Sequence, residues 1–485
     1  MQNTIIGRIP ELEILERISV STQAEFLAVY GRRRIGKTYL ISEYFKNKGY
    51  YFELTGAKEA PLKTQLNNFR EEFADAFYAG VKQEMPNSWQ EAFNQLRRKA
   101  KELNPDKKII LFLDELPWLA SRRSSILSSL EHVWNRYLSR LNNVILIVCG
   151  SAASWMLQKI IYNKGGLYGR LTAEIHLKPF TLGETELYFK AKGITLDRKQ
   201  IIELYLAFGG VAKYLANVKK GKSSSAIISE SCFSQNGALL QEFPKLYESL
   251  FEKPQQHIAI INSLATKKSG MTQDEIIQST GISSGGGLTR LLHELEDSGF
   301  ILEMSEFSRK KKEARYRLID EYSLFYLAWI KPALDSQLKN IAPNYWQSIQ
   351  NSPAYTAWAG YAFEGICLKH VDKIMEALKI SVVARTSSTW SYKPRKDDDQ
   401  KGAQIDLVID RADRCINLCE IKFCNDIFLV KNNYADNLRY KKSCFQEQTQ
   451  TKKSLFTTLI TTYGATINPS YLASIDNQLT MDVLF

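Results

Sequence analysis

The stretch that decides the fold is residues 25–44, which reads EFLAVYGRRRIGKTYLISEY. Its apolar run, residues 26–30, predicts a buried strand of a parallel sheet. Residues 31–38, GRRRIGKT, fit the pattern G-x-x-x-x-G-K-[ST], and residues 39–45 follow as an amphipathic helix. Strand, glycine-rich loop and helix in this order predict a loop that binds the phosphates of a nucleotide.

The residue types of this loop suit phosphate binding. Gly31 and Gly36 let the backbone turn its N–H groups toward the phosphates, and the N-terminus of the helix adds its positive dipole end. Lys37 is expected to reach the β- and γ-phosphates, and the Thr38 hydroxyl is expected to ligate Mg²⁺. We therefore expect ATP and Mg²⁺ as cofactors.

Two later apolar runs end in polar residues that would complete such a site. Residues 109–113 precede Asp114 and Glu115, a pattern in which the aspartate holds Mg²⁺ and the glutamate orients and deprotonates the attacking water. Residues 144–150 precede Ser151, which either senses the γ-phosphate or caps the next helix. Strands that are apolar throughout predict a parallel sheet covered on both faces by helices.

Three further positions are candidates near the nucleotide. Arg170 follows a glycine-rich turn and could reach the γ-phosphate, in cis or across a subunit interface, although a structural salt bridge is the alternative. Gly7 and Arg8 precede the first strand and are predicted neighbours of the nucleotide. The predicted catalytic residues here are Lys37, Glu115 and Arg170. The predicted nucleotide-binding residues are Gly31, Arg32, Arg33, Arg34, Ile35, Gly36, Lys37, Thr38, Tyr39, Asp114 and Ser151.

Residues 253–319 predict three helices followed by a hairpin, which is the order of a winged helix. Its wing, residues 309–317, carries six basic residues and one acid, a composition that suits contacts with phosphates. Three consecutive glycines, residues 285–287, weaken the start of the third helix. Winged helices also join proteins, so duplex binding and a protein joint are both open.

A second set of charged residues lies near the carboxyl end. Asp406 falls in one predicted strand, and Glu420 and Lys422 fall in the next, as in the PD-(D/E)xK pattern of nucleases, with Ile405 where that pattern has proline. Period 2 puts Glu420 and Lys422 on one face. Asp406, Glu420 and a backbone carbonyl would bind Mg²⁺, with Glu364 as a further ligand, while Lys422 orients water or stabilises the pentavalent phosphate. Alternating charges on a half-buried strand are the alternative.

Composition narrows the class of protein. A length of 485 residues predicts about three domains. No apolar run reaches a membrane span, and the N-terminal segment has no signal-peptide pattern, so we expect a cytoplasmic protein without a membrane partner. The net charge of +12 favours nucleic acid, DNA more than RNA, and leaves a homo-oligomer or a protein partner open. Residues 387–402 are polar and predict a mobile loop. The spacing of Cys415, Cys419 and Cys424 predicts buried strand cysteines instead of a zinc site.

These motifs together resemble a known family, the archaeal-type ATP-binding proteins of the STAND/AAA+ class found in prokaryotes. The resemblance rests on YGRRRIGKT (residues 30–38), LFLDELPWL (111–119), CGSAASWM (149–156), GGVAKYL (209–215), GYAFEG (360–365), QIDLVID (404–410) and CEIKF (419–423). The family usually has proline where this chain has Ala212. The resemblance implies a P-loop ATPase, a winged helix and a C-terminal domain of unknown function related to PD-(D/E)xK nucleases.

The predicted fold class is α/β, with four domains. They are a P-loop ATPase core with a parallel sheet (1–182), a helical lid (183–252), a winged helix (253–319) and a restriction-endonuclease-like domain (320–485). The predicted function is a cytoplasmic ATPase coupled to a nucleic-acid-directed domain, a Mg²⁺-dependent nuclease or its inactive relative. The alternative is a STAND-like ATP-gated signalling or scaffold switch with an inactive nuclease-like domain, and a third hypothesis is a nucleotide-independent DNA-binding regulator.

Overall fold

The computed structural model describes residues 5–121, 124–162, 165–167, 169–307, 314–336, 344–394 and 401–485. The chain forms two compact units. The first unit comprises Met1–Pro179 with Leu250–Glu252, and the second comprises Phe180–Ser249 with Lys253–Phe485. The finer division into four domains stays a prediction. No helix in the described ranges has the length and apolar character needed to cross a membrane.

The first unit is built on a parallel sheet of five strands in the order β2-β3-β4-β1-β5. The strands are β1 (Glu25–Tyr30), β2 (Gly49–Thr55), β3 (Lys108–Asp114), β4 (Val144–Gly150) and β5 (Ala173–His176). The helices are α1 (Ile9–Val20), α2 (Lys37–Phe45), α3 (Leu62–Tyr78), α4 (Trp89–Glu102), α5 (Leu116–Leu119), α6 (Ile126–Arg136) and α7 (Ala153–Met156). The predicted α/β fold with a parallel sheet is confirmed.

Both faces of this sheet are buried, as the all-apolar strands predict. Every residue of β1 and β4 is buried. Along β1, Phe26 and Ala28 belong to one apolar core, and Leu27 and Val29 belong to another. This alternation means that side chains on each face of the sheet pack against separate layers, because successive residues of a strand point to opposite faces.

The strand order decides where the predicted nucleotide residues meet. β4 lies between β1 and β3, so the loops that follow these three parallel strands leave the same edge of the sheet side by side. The loop after β1 carries the glycine-rich motif, while Asp114 and Glu115 end β3 and Ser151 follows β4. A site at the carboxyl edge of a parallel sheet is the usual position for a ligand in this class of fold.

The second unit begins with helices and a small antiparallel hairpin. The elements up to this hairpin are α8 (Leu182–Ala191), α9 (Arg198–Phe208), α10 (Ala212–Leu215), α11 (Ser224–Ile228), α12 (Glu242–Leu250), α13 (Pro254–Ala265), α14 (Gln273–Thr280), α15 (Gly286–Asp297), β6 (Ile301–Met304) and β7 (Arg315–Leu318). β6 and β7 pair antiparallel. The three glycines do not prevent the third helix, since α15 begins at Gly286. Arg309, Lys310, Lys311 and Lys312 of the predicted wing lie outside the described residues.

The rest of the second unit is a mixed five-stranded sheet with helices. The helices are α16 (Glu321–Phe325), α17 (Lys331–Asp335), α18 (Tyr345–Gln350), α19 (Pro353–Lys369), α20 (Val371–Ala377), α21 (Asn432–Thr449) and α22 (Pro469–Leu472). The strands are β8 (Ala384–Tyr392), β9 (Ala403–Arg411), β10 (Cys415–Lys422), β11 (Ser454–Thr461) and β12 (Asn477–Thr480). Their order is β12-β11-β10-β9-β8. β8 and β9 pair antiparallel, as do β9 and β10, while β10, β11 and β12 run parallel.

One prediction about this unit is wrong. The polar pattern of residues 387–402 predicts a loop, but its first six residues belong to β8, which pairs with β9 at the edge of the sheet. An edge strand has one open side, so most of its residues are polar and exposed or half-buried, and only Trp390 is buried. Cys419 is buried as predicted, whereas Cys415 and Cys424 are only partly buried.

Candidate functional site

The glycine-rich loop depends on backbone conformations that glycine adopts at low cost. Gly31 has φ of 141° and Gly36 has φ of 97°, values that favour glycine. A Cβ on Gly31 would also lie 2.1 Å from the carbonyl oxygen of Leu177. The first glycine of the motif is therefore required by both conformation and space, as a tight phosphate-binding turn demands.

Lys37 opens helix α2 and folds back over this loop. Its side-chain nitrogen donates to the carbonyl oxygens of Gly31 and Arg32, each at 2.9 Å, and the side chain is buried. An ammonium carries three donors, and two of them are used here. The lysine charge is thus fixed at the loop, where the phosphates of a nucleotide are expected.

Thr38 and Asp114 form the pair that suits a magnesium ion. The Thr38 hydroxyl donates to Asp114 Oδ2 at 2.7 Å, and Asp114 Oδ1 accepts from the backbone N–H of Glu115 at 3.0 Å. Hydroxyl and carboxylate oxygens in contact are the hard donors that Mg²⁺ prefers. The Thr38 hydroxyl and this backbone N–H are neutral donors, so the residues present fit a divalent cation.

Glu115 and Ser151 are joined across neighbouring strand ends. Glu115 has φ of 47°, and its Oε2 accepts from both the backbone N–H and the hydroxyl of Ser151, at 3.0 and 2.8 Å. The alternative prediction, that Ser151 caps the next helix, is wrong, because the N-cap of α7 is Ala152. The serine instead fixes the orientation of the glutamate carboxylate.

The predicted arginines have different positions. Arg8 is buried and donates to the backbone oxygens of Lys178 and Ile35, at 2.8 and 3.4 Å, so it ties the N-terminal segment to the phosphate loop. The Arg33 guanidinium lies 5.3 Å from the centroid of the Trp118 ring. Arg170 is exposed, and its role stays a prediction.

The charged residues predicted near the carboxyl end also come together. Asp406 Oδ2 accepts a hydrogen bond of 3.0 Å from the backbone N–H of Ile421, the residue between Glu420 and Lys422. Burial and, to a smaller extent, the negative charge of Asp406 raise the pKa of Glu420 to about 7, with Lys441 and Lys422 acting in the opposite direction. These residues therefore share one small electrostatic environment.

Glu364 belongs to the same environment. Burial and the charge of Asp406 raise the pKa of Glu364 to about 7, with Arg317 and Lys422 acting in the opposite direction. Arg317 Nη2 lies 3.0 Å from a Glu364 carboxylate oxygen. Even so, within the described ranges no group of three or more His, Cys, Asp or Glu side chains is arranged to hold a metal ion.

Known proteins resemble this chain over the first unit and beyond it. Residues 6–218 match the family described as an ATPase domain predominantly from Archaea. The match supports an ATPase domain in this part of the chain. An uncharacterized protein of Methanocaldococcus jannaschii is 25% identical over 407 residues, 83% of each chain. An uncharacterized ATP-binding protein of the same organism is 46% identical over 43 residues, 9% of this chain and 73% of that protein.

Solved structures are similar at lower identity. A Walker-type ATPase of Pyrococcus abyssi is 16% identical, with 67% of this chain and 96% of that chain covered and a TM-score of 0.46. The ORC2 protein of Aeropyrum pernix, solved as ADPNP and ADP complexes, is 15% identical, with 70% and 98% covered and a TM-score of 0.41. A STAND protein of Pyrococcus horikoshii is 17% identical, with 78% and 50% covered and a TM-score of 0.30.

The phosphate loop, Asp114, Glu115 and Ser151 lie together in the ATPase domain, whereas Arg170 is exposed. The second unit holds functional candidates that the sequence did not reveal. Lys441 donates to both carboxylate oxygens of Glu420, at 2.7 and 2.8 Å. The sequence predicts Arg317 only as part of a basic wing. One signal existed for Lys441, because it lies three residues after Leu438 and four before Phe445, which are both buried. A lysine at that spacing falls on the apolar stripe of the helix.

Proposed function

We propose that the ATPase domain hydrolyses ATP with Mg²⁺, using Lys37 for the phosphates and Glu115 for the attacking water. The observation that carries this proposal is the meeting of three loops at one sheet edge. Lys37 lies on the first loop, the Thr38–Asp114 contact joins the first to the second, and the Glu115–Ser151 contact joins the second to the third.

Each contact has a part in binding. The loop N–H groups and Lys37 would bind the β- and γ-phosphates, which carry the negative charge that a P-loop is built to hold. Thr38 and Asp114 would hold Mg²⁺, and the ion supplies neutralising charge to the phosphate oxygens when bound. Because Lys37 contacts the carbonyl oxygens of the loop, while Thr38 contacts Asp114, the lysine charge and the metal charge would act on different atoms.

Glu115 has the geometry of a positioned base. Both hydrogen bonds from Ser151 go to Oε2, so the carboxylate is held while Oε1 can face the water. The carboxylate would take a proton from that water as its oxygen attacks the γ-phosphorus, while the bond from the γ-phosphorus to the β–γ bridging oxygen breaks and ADP leaves. Ser151 thus acts as a positioning residue, and through it the state of the γ-phosphate can reach Glu115.

The replacement Glu115→Gln separates binding from chemistry. The amide keeps the shape of the side chain and loses the base, so ATP affinity should stay within about twofold while the steady-state rate falls by about 10²–10⁴-fold. Glu71→Gln, on the exposed surface of α3, is the matched control and should change neither quantity. A Glu115→Gln protein that turns over at the wild-type rate would contradict the assignment of the base.

For the second unit, the contacts favour the function of an ATP-gated switch in a signalling or scaffold role. Three helices and the β6–β7 hairpin have the order of a winged helix. Two basic residues of the predicted wing are engaged inside the unit, since Arg315 pairs with Glu275 and Glu306 and Arg317 pairs with Glu364. Arginines paired in this way stabilise the packing of the unit, as expected for a winged helix that joins proteins.

Binding to nucleic acid, DNA more than RNA, is the second candidate, and the net charge of +12 favours it. Replacing Lys310, Lys311 and Lys312 by glutamate should then weaken binding to duplex DNA and flatten its dependence on log salt, by roughly 0.9 for each phosphate that the variant no longer neutralises. Affinity measured across a salt series checks this. Equal affinity and equal slope for wild type and variant would leave the joint as the role of this module.

A further inference from the structure

The carboxylate cluster of the second unit is neutralised by the chain itself. Its Glu420 carboxylate is only 4% exposed and takes two hydrogen bonds from Lys441, whose nitrogen lies 2.7 Å from one oxygen and 2.8 Å from the other. A cation centred between both oxygens of a carboxylate has the position that a bidentate metal ion would need. Any metal ion at Glu420 would therefore have to displace this ammonium.

The other carboxylates of the cluster are also engaged. Arg317 Nη2 lies 3.0 Å from a Glu364 oxygen and donates to the Tyr361 carbonyl at 2.9 Å, and its guanidinium lies 4.4 Å from the centroid of the Tyr361 ring. These contacts fix the arginine in place. Asp406 uses one oxygen to accept the Ile421 N–H. Two of the three acids, Glu364 and Glu420, therefore already have a bound cation.

The cluster already holds two bound cations, Arg317 on Glu364 and Lys441 on Glu420, and the charge of Lys422 acts on both glutamates. A divalent ion would add two positive charges to this largely buried site, and a displaced cation would be left without a partner. Buried charges without partners are strongly unfavourable.

We propose that Lys441 is the resident cation of this cluster, so that the site works as an ionic lock and takes no divalent metal. The lock joins elements that are distant along the chain. Arg317 comes from β7, Glu364 from α19, Glu420 from β10 and Lys441 from α21. The cluster thereby ties strand β7 to helix α19 and strand β10 to helix α21.

Metal binding to the full chain without nucleotide tests the lock. In a Mn²⁺ titration followed by calorimetry, the wild type should show no binding that depends on Glu420, so wild type and Glu420→Gln should give the same isotherm. Lys441→Met removes the charge and keeps most of the apolar side chain. It should bind Mn²⁺ at least about tenfold more tightly than wild type, and the double variant Lys441→Met/Glu420→Gln should lose that gain.

Lys442→Met is the matched control, because Lys442 is the next residue of α21 and pairs with Asp476, with both side chains over a third exposed. It should behave as wild type. Binding of Mn²⁺ by the wild type that disappears in Glu420→Gln would overturn the proposal, as would a folded Lys441→Met chain that gains no Mn²⁺ affinity.

If Lys441→Met is too unstable for calorimetry, its thermal unfolding with and without Mn²⁺ tests the proposal. Added Mn²⁺ should raise the Tm of Lys441→Met and leave that of Lys442→Met unchanged, since the ion replaces the missing cation. A Lys441→Met protein whose Tm ignores Mn²⁺ would overturn the lock. None of these measurements uses ATP, so they are independent of the function proposed for the ATPase domain.

Discussion

The acidic residues of the ATPase domain and those of the second unit have opposite kinds of partner. In the ATPase domain, Asp114 and Glu115 accept hydrogen bonds from neutral donors: the Thr38 hydroxyl, a backbone N–H and Ser151. In the second unit, Glu420 and Glu364 are bound by lysine and arginine. A pair of acids therefore does not by itself predict a metal site. What decides is whether the surrounding residues leave a negative charge for the metal to balance.

Lys37 sharpens this contrast, because it is a buried cation beside acids that does not pair with them. Lys37→Ala removes the charge that faces the phosphates while the loop backbone stays, and ATP affinity should fall by about 10²-fold or more. Lys46→Ala, at the far end of α2 where the side chain pairs with Glu43, should leave affinity unchanged. Calorimetry with ATP and Mg²⁺ measures both, and an unchanged affinity for Lys37→Ala would contradict the phosphate-site assignment.

A buried titratable group can also avoid carrying a charge by staying neutral, as His370 does. Burial lowers the pKa of His370 to about 4, and the charges of Lys369 and Lys373 act in the same direction. Its Nε2 accepts from the backbone N–H of Leu182, and its Nδ1 donates to the Ile366 carbonyl. Because the folded pKa lies below the unfolded value, the unfolded chain binds more protons below about pH 6.5, and this stabilisation is lost as the pH falls toward 4.

The replacement His370→Gln isolates this effect. From about pH 7 to about pH 5, the wild type should lose about 2 kcal/mol more unfolding free energy than the variant. The raised pKa of Glu364 and Glu420 acts in the opposite sense over part of this range, but it is common to both proteins and cancels in the difference. Urea unfolding at the two pH values measures it, and parallel losses would contradict the neutral buried histidine.

The same comparison explains what the sequence could predict. The meeting of the predicted nucleotide residues was predictable because they follow apolar strands that are parallel, so the strand ends lie at one edge whatever the details of the loops. Short spacings along the chain, such as Gly31 to Lys37 and Asp114 to Glu115, fix the relative positions of these residues. Ser151 was identified for the same reason, although its contact with Glu115 required the strand order β3-β4-β1.

The ionic lock was not predictable, because its cations come from elsewhere in the chain. Lys441 is 21 residues from Glu420, and Arg317 is 47 residues from Glu364. A lysine in a polar helix is ordinarily a solvated side chain, and an arginine in a basic wing is ordinarily read as a phosphate contact. Strand β8 escaped prediction for a related reason, since an edge strand with one buried tryptophan shows almost no alternation.

The number of Mn²⁺ ions bound per chain tests the contrast most directly. Equilibrium dialysis with Mn²⁺ and a non-hydrolysable ATP analogue on both sides cancels the complexes that form in solution. The account predicts one protein-dependent ion per chain, weakened strongly by Asp114→Asn and unaffected by Glu420→Gln. A second ion that disappears in Glu420→Gln, or a single ion that survives Asp114→Asn unchanged, would contradict it.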